Sequence, residues 1–146
     1  MKIGLVINPQ SGVGGSVALK GSDGAELQEL AKRRDGEPRG VERAHAFLER
    51  LLLIIDDLTK EVSWKTWGDE MGETVLQSHQ VDFEVLGHPK SPTVGADTSE
   101  ACSVISGAGV DILIFVGGDG TARDVMEGIS PGTLVLGVPS GVKMHS

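Results

Sequence analysis

Apolar and polar positions along the chain change rhythm repeatedly, marking short strands between amphipathic helices. Lys2–Ile7 (KIGLVI) is a β-rich run that ends at Asn8-Pro9, which predicts a buried first strand and then a turn. Ser11–Gly24 holds five glycines and almost no periodicity, and reads as a loop long enough to carry function. Weak helical character over Gly24–Arg34 is broken by Gly36–Gly40, which contains Pro38. In Glu42–Leu58, Ala44, Phe47, Leu48, Leu51, Leu52 and Ile55 recur at spacings of three and four, the clearest helix in the chain. Glu61–Trp67 and Val81–Leu86 alternate as strands do, with a short helix over Gly68–Leu76 between them. Lys90–Ala96 is a loop. Asp97–Gly107 opens with an acid at the cap position and Glu100 three residues on, then continues helically. Val110–Val116 is almost continuously apolar, as a central strand covered on both faces must be. Gly117–Thr121 follows directly, with a helical start over Ala122–Glu127. Thr133–Val138 reads as another buried strand, and Pro139–Ser146 trails into a loop.

Strands and helices in alternation predict an α/β fold with a mostly parallel sheet and right-handed crossovers. In such sheets ligands bind beyond the carboxyl ends of the strands. The glycine-rich segments after Ile7, Val116 and Val138 all fall at that edge.

Composition narrows the function classes. The chain has 146 residues, enough for one domain with a sizeable core, and 21 of them are glycine. That is about twice the usual share of roughly 7% and implies tight turns or close approach of backbone to a ligand. Thirteen Lys and Arg against 21 Asp and Glu leave a net charge of -8, which argues against broad nucleic-acid binding. Five aromatic residues, none of them Tyr, leave little for base stacking. The apolar run Leu51–Ile55 is far short of a membrane span, and no signal peptide is visible. A single cysteine, Cys102, excludes an internal disulfide and points to a reducing compartment such as the cytoplasm. His45, His79 and His88 show no ligand spacing with Cys102 or with one another, which argues against a zinc site. Cys102 reads as a small buried residue, and Trp64 and Trp67 as core or interface.

Chemistry concentrates in VGGDGTARD, Val116–Asp124. Two glycines at a strand end let backbone approach an anion, and free N–H groups at the following helix start can hold phosphate oxygens. Thr121 adds a hydroxyl. Asp119 places a carboxylate in that turn, where it can accept a substrate proton or hold a metal ion; a plain glycine turn capped by Asp119 through Thr121 is the structural alternative. Arg123 can pair with Asp124 or reach a phosphate, and Asp124 reads as an acid of the helix start. Asn8-Pro9-Gln10-Ser11-Gly12 repeats the strand-end pattern without a Walker or dinucleotide fingerprint. Lys20, among glycines, can meet phosphate as a point charge or simply be solvated. Ser140 and Lys143 are polar groups beside the last strand end. His145 lies almost at the terminus.

GGDGTARDV, with NPQSGVGG, LKGSDG and GVPSGVKMHS, resembles the ATP-NAD kinase family, in particular the branch of polyphosphate/ATP-dependent NAD kinases and acetoin-catabolism X proteins. GGDGT alone is shared with diacylglycerol, sphingosine and phosphofructo-kinases; followed by GVPSGVKMHS it is far more specific. The resemblance runs in order from Lys2 to Ser146. It implies a Rossmann-like, phosphofructokinase-like domain with helices on both faces of the sheet, followed in relatives by a β-rich domain, with the active site between them. It further implies that Asp119 accepts the proton of the adenosine ribose 2′-hydroxyl of NAD, which attacks the terminal phosphate of ATP with Mg²⁺ or another divalent cation neutralising charge. Asn8, Ser11, Gly12, Lys20, Gly117, Gly118, Gly120, Thr121, Arg123, Ser140 and Lys143 are the nucleotide- and phosphate-binding candidates; none of them is a resident metal ligand. The Asn-Glu/Asp motif that holds the NAD ribose in relatives is not recognisable here. The expectation is therefore an N-terminal nucleotide-binding domain over 1–146, with little activity alone and with apolar surface that could drive self-association into a homo-oligomer. A kinase of a lipid or small metabolite, and a non-catalytic nucleotide-binding or assembly module, are the alternatives.

Overall fold

The computed structural model describes residues 1–13, 38–54 and 62–141. Within them lie five strands: β1 (Lys2–Ile7), β2 (Ser63–Thr66), β3 (Phe83–Val85), β4 (Ile112–Gly117) and β5 (Leu134–Pro139). Four helices accompany them: α1 (Gly40–Ile54), α2 (Glu73–Ser78), α3 (Gly95–Gly107) and α4 (Asp119–Gly128), with a 3₁₀ turn over Asp69–Met71. The strands form one sheet in the order β3-β2-β1-β4-β5, and every pairing is parallel. The expectation of an α/β fold with a parallel sheet holds.

Alternating side chains send β1 into two cores. Ile3, Leu5 and Ile7 meet Ile114 and Val116 of β4, Trp64 of β2, Ala44 and Leu48 of α1 and Val75 and Leu76 of α2. Val6 faces the other way and meets Leu113 and Phe115 of β4, Ala101, Cys102 and Ile105 of α3 and Val125 of α4. Helices therefore cover both faces. Trp64 and Trp67, three positions apart, serve opposite cores. Gly4 lets α3 close onto the sheet, since a Cβ there would stand 2.6 Å from Ile105 Cγ2.

Three expectations need correction. Helix α3 begins at Gly95, so Asp97 is its third residue and not its cap. Asp97 acts from inside, its carboxylate accepting the N–H groups of Val94 at 2.8 Å and Lys90 at 3.1 Å. Helix α4 begins at Asp119, three residues before the apolar periodicity announces it, and Asp124 consequently lies past the first turn. Strand β5 is not buried: Leu134 is 67% exposed and Leu136 43%. A continuous apolar run signals burial only where both faces find cover, and among the described strands β5 sits at the sheet edge beside β4. The end of the long helix beyond Ile54, the weak helix over Gly24–Arg34 and most of the Ser11–Gly24 loop lie outside the described residues.

Candidate functional site

The chain winds from β1 to β2 and β3 on one side, then crosses to β4 and β5 on the other. The reversal falls between β1 and β4, and the crevice beyond their carboxyl ends is where open α/β sheets take ligands. Asn8 leaves β1 there, and its N–H donates to Val116 O of β4 at 2.9 Å. Gly118 leaves β4 as the N-cap of α4, a ten-residue helix whose first turn holds Asp119, Gly120 and Thr121.

Side chains lock these segments together. Asn8 Nδ2 donates to Thr121 Oγ1 at 2.9 Å, while Asn8 Oδ1 accepts the Gln10 N–H at 3.0 Å. Ser11 Oγ donates to Asn8 O at 2.6 Å. The carbonyl of Ser11 in turn accepts the N–H groups of Arg39 at 2.8 Å and Gly40 at 3.2 Å, which ties the start of α1 to the turn. Gly12, at φ 86°, takes the left-handed conformation, and a Cβ there would stand 2.6 Å from Ser140 O. Ser140 N donates to Gly117 O at 3.0 Å, which brings the end of β5 into the same cluster.

Ser11, Thr121 and Ser140 are all buried, whereas Asp119 is half-buried. The Ser140 hydroxyl is fully enclosed, and no described residue offers it a hydrogen bond. The two motif glycines differ in what they do. A Cβ on Gly117 would meet the Thr121 side chain at 2.4 Å, so the fold itself demands glycine. A Cβ on Gly118 would find no described atom within 4 Å. Nothing in the described protein requires glycine there, and the space beside the helix N-terminus is open to an anion.

Asn8, Ser11, Gly12, Gly117, Gly118, Gly120, Thr121 and Ser140 thus converge at the switch point with Asp119. Arg123 is exposed on the second turn of α4. The Asp124 carboxylate lies against Gly95, where a Cβ would come within 2.8 Å of Oδ2, at the positive end of α3. Lys20, Lys143 and His145 lie outside the described residues. Sequence reasoning missed Gly40, read only as part of a helix break: its missing side chain lets α1 press on the site, a Cβ there standing 2.2 Å from Asn8 O. It also missed two groupings distant in sequence. His45 Nδ1 and His79 Nε2 meet at 3.1 Å, and Asp69, Glu73 and His88 converge beyond β2 and β3.

Phosphate oxygens could take the α4 N–H groups, with the Asp119 carboxylate beside them to receive a proton. The motif offers one carboxylate in its first turn. A divalent cation there would be held largely by the phosphates it neutralises, the usual habit of Mg²⁺. Among the described residues no helix is long and apolar enough to cross a membrane. Comparison with known proteins matches residues 3–146 to a family model described as the ATP-NAD kinase N-terminal domain. No curated protein and no solved structure matches the chain.

Proposed function

This chain belongs to the ATP-NAD kinase family, and we propose that it forms the nucleotide-binding half of an enzyme that phosphorylates the adenosine ribose 2′-hydroxyl of NAD to give NADP. Family membership supports a phosphotransferase role with NAD and a nucleotide. The observation that carries the finer reading is the Asn8–Thr121 bond at the switch point, which fixes the first turn of α4, and Asp119 with it, against the end of β1. In this reading the α4 N–H groups and Thr121 hold phosphate, the enclosed Ser140 supports the turn from behind through its N–H bond to Gly117 O, and Asn8, Ser11 and Gly12 shape the opposing wall. Asp119 takes the ribose hydroxyl proton as the oxygen attacks the terminal phosphate of ATP or of polyphosphate. Mg²⁺ or another divalent cation accompanies the donor and neutralises its charge.

In-line transfer requires two substrates held together, and the matched family model describes an N-terminal domain. We therefore assign residues 1–146 to nucleotide binding, with efficient turnover depending on a β-rich second domain and with the reaction taking place in the cytoplasm. The test has two arms. Calorimetric titration of the chain with Mg²⁺-ATP and with NAD is expected to show binding. NADP formation, followed by a coupled dehydrogenase assay with ATP and with polyphosphate, is expected to rise on addition of a family β-rich domain. Asp119→Asn is expected to lower that turnover by about 10²-fold or more with the fold unchanged. A chain that binds neither nucleotide, or transfer to diacylglycerol or sphingosine but not to NAD, would overturn the assignment.

A further inference from the structure

The carboxyl edge of the sheet carries a second cluster, on the β2–β3 side, that the phosphate-binding segments do not use. Asp69 and Glu73 follow β2, and His88 follows β3; one ligand atom from each lies within 4.8 Å of the other two. Among the described residues no Lys or Arg forms an ion pair with either carboxylate, and the His88 imidazole makes no hydrogen bond or ion pair. Two carboxylates so close repel one another unless a positive charge lies between them.

Glu73 and His88 are oriented by their neighbours. The His88 ring lies on Gly68, where a Cβ would stand 2.0 Å from Nδ1, and Gly68 N donates to Gly87 O at 2.8 Å. Glu73 Oε2 accepts the Asp69 N–H at 2.9 Å, which orients that carboxylate and leaves Oε1 for another partner. Asp69 also lines a shallow cavity with Met71, Lys90, Ser91 and Thr93, so the cluster is open to solvent on one side.

We propose that Asp69, Glu73 and His88 bind a first-row divalent cation of the zinc and cobalt type. One imidazole nitrogen and two carboxylate oxygens form a mixed donor set that suits Zn²⁺, Co²⁺ or Mn²⁺ better than the all-oxygen cations Mg²⁺ and Ca²⁺. Three protein ligands leave a coordination position for water or for an anion entering from the cavity. Metal–ligand bonds of about 2.0–2.2 Å require the ligand atoms to draw together by roughly 1 Å, which rotation of the exposed Asp69 side chain toward Glu73 and His88 supplies. Binding ties the turn after β2 to the segment leaving β3. It does not depend on the kinase assignment, because none of the three residues belongs to the phosphate cluster.

The test uses the whole chain freed of metal with a chelator. Titration with Co²⁺, read by visible absorption, is expected to saturate at one equivalent and to be reversed by Zn²⁺. Zn²⁺ is expected to raise the melting temperature. His88→Gln and Asp69→Asn are each expected to weaken Co²⁺ binding about tenfold or more while leaving the metal-free melting temperature unchanged. His45→Gln is the control for the other histidine pair and is expected to leave Co²⁺ binding intact. Absence of saturable binding, binding indifferent to both ligand variants, or binding abolished by His45→Gln would overturn the proposal.

Discussion

The side-chain amide of Asn8 donates to the hydroxyl of Thr121 at 2.9 Å across 113 positions of sequence. That bond joins the two strand ends at which the sheet changes direction. The same amide side chain holds the Gln10 N–H through Oδ1, so one residue shapes its own turn and fixes the start of α4.

Asn8→Ala strands the Gln10 N–H and removes the bond to Thr121. A loss of about 1–3 kcal/mol in unfolding free energy is expected, read from urea unfolding. Thr121→Val should cost a similar amount. The double variant should cost clearly less than the sum, because both changes break one contact.

The two motif glycines should separate stability from binding. Gly117→Ala drives a methyl group into Thr121, and a loss of about 1–3 kcal/mol is expected. Gly118→Ser retains a good helix cap and meets no described atom, so stability should stay within about 0.5 kcal/mol of wild type. Calorimetry of the serine variant with Mg²⁺-ATP should nevertheless show weakened binding, by about tenfold or more, if phosphate approaches Gly118. Unaltered affinity would place the phosphate elsewhere.

The histidine pair makes stability depend on pH. Burial lowers the His79 pKa below its ordinary 6.5, and the neighbouring His45 lowers it further against the opposing pull of Glu49. Nitrogens 3.1 Å apart also need one to donate and the other to accept, which two imidazolium rings cannot do. The unfolded chain therefore binds the proton more readily than the folded one. The contribution is whole above pH 6.5 and is lost as pH falls from there through the folded pKa. Melting temperatures between pH 5 and 8 should fall on the acid side, and His79→Gln should flatten that slope.

Cys102 should be chemically silent in the folded state. Burial, aided by the negative charge of Asp124, pushes its thiol up to about 12, leaving almost no thiolate at neutral pH. Ellman's reagent should therefore react slowly with the native protein and release one equivalent promptly in guanidinium.

The five strands are legible from local patterns, because period-two alternation and apolar runs belong to single segments. VDILIFV announces β4, and the glycines after Val116 announce the turn that leads into α4. The start of α4 was less legible: Gly118 and Thr121 set it through cap geometry, ahead of the apolar periodicity that begins at Ala122. In sequence Gly40 reads as a break in the chain, yet it starts a helix and makes room for the Asn8 turn.

By itself the sequence determined the element order, the parallel α/β class, the family and the two loops that flank the candidate site. Only the tertiary structure decided that Asn8 grips Thr121, that β5 shows its apolar side chains to solvent, and that Asp69, Glu73 and His88 meet. Element type follows from spacings of two to four residues, whereas these relationships depend on which strands become neighbours. A strand's cover, and a side chain's partner, are properties of the assembled sheet and cannot be read from one segment alone.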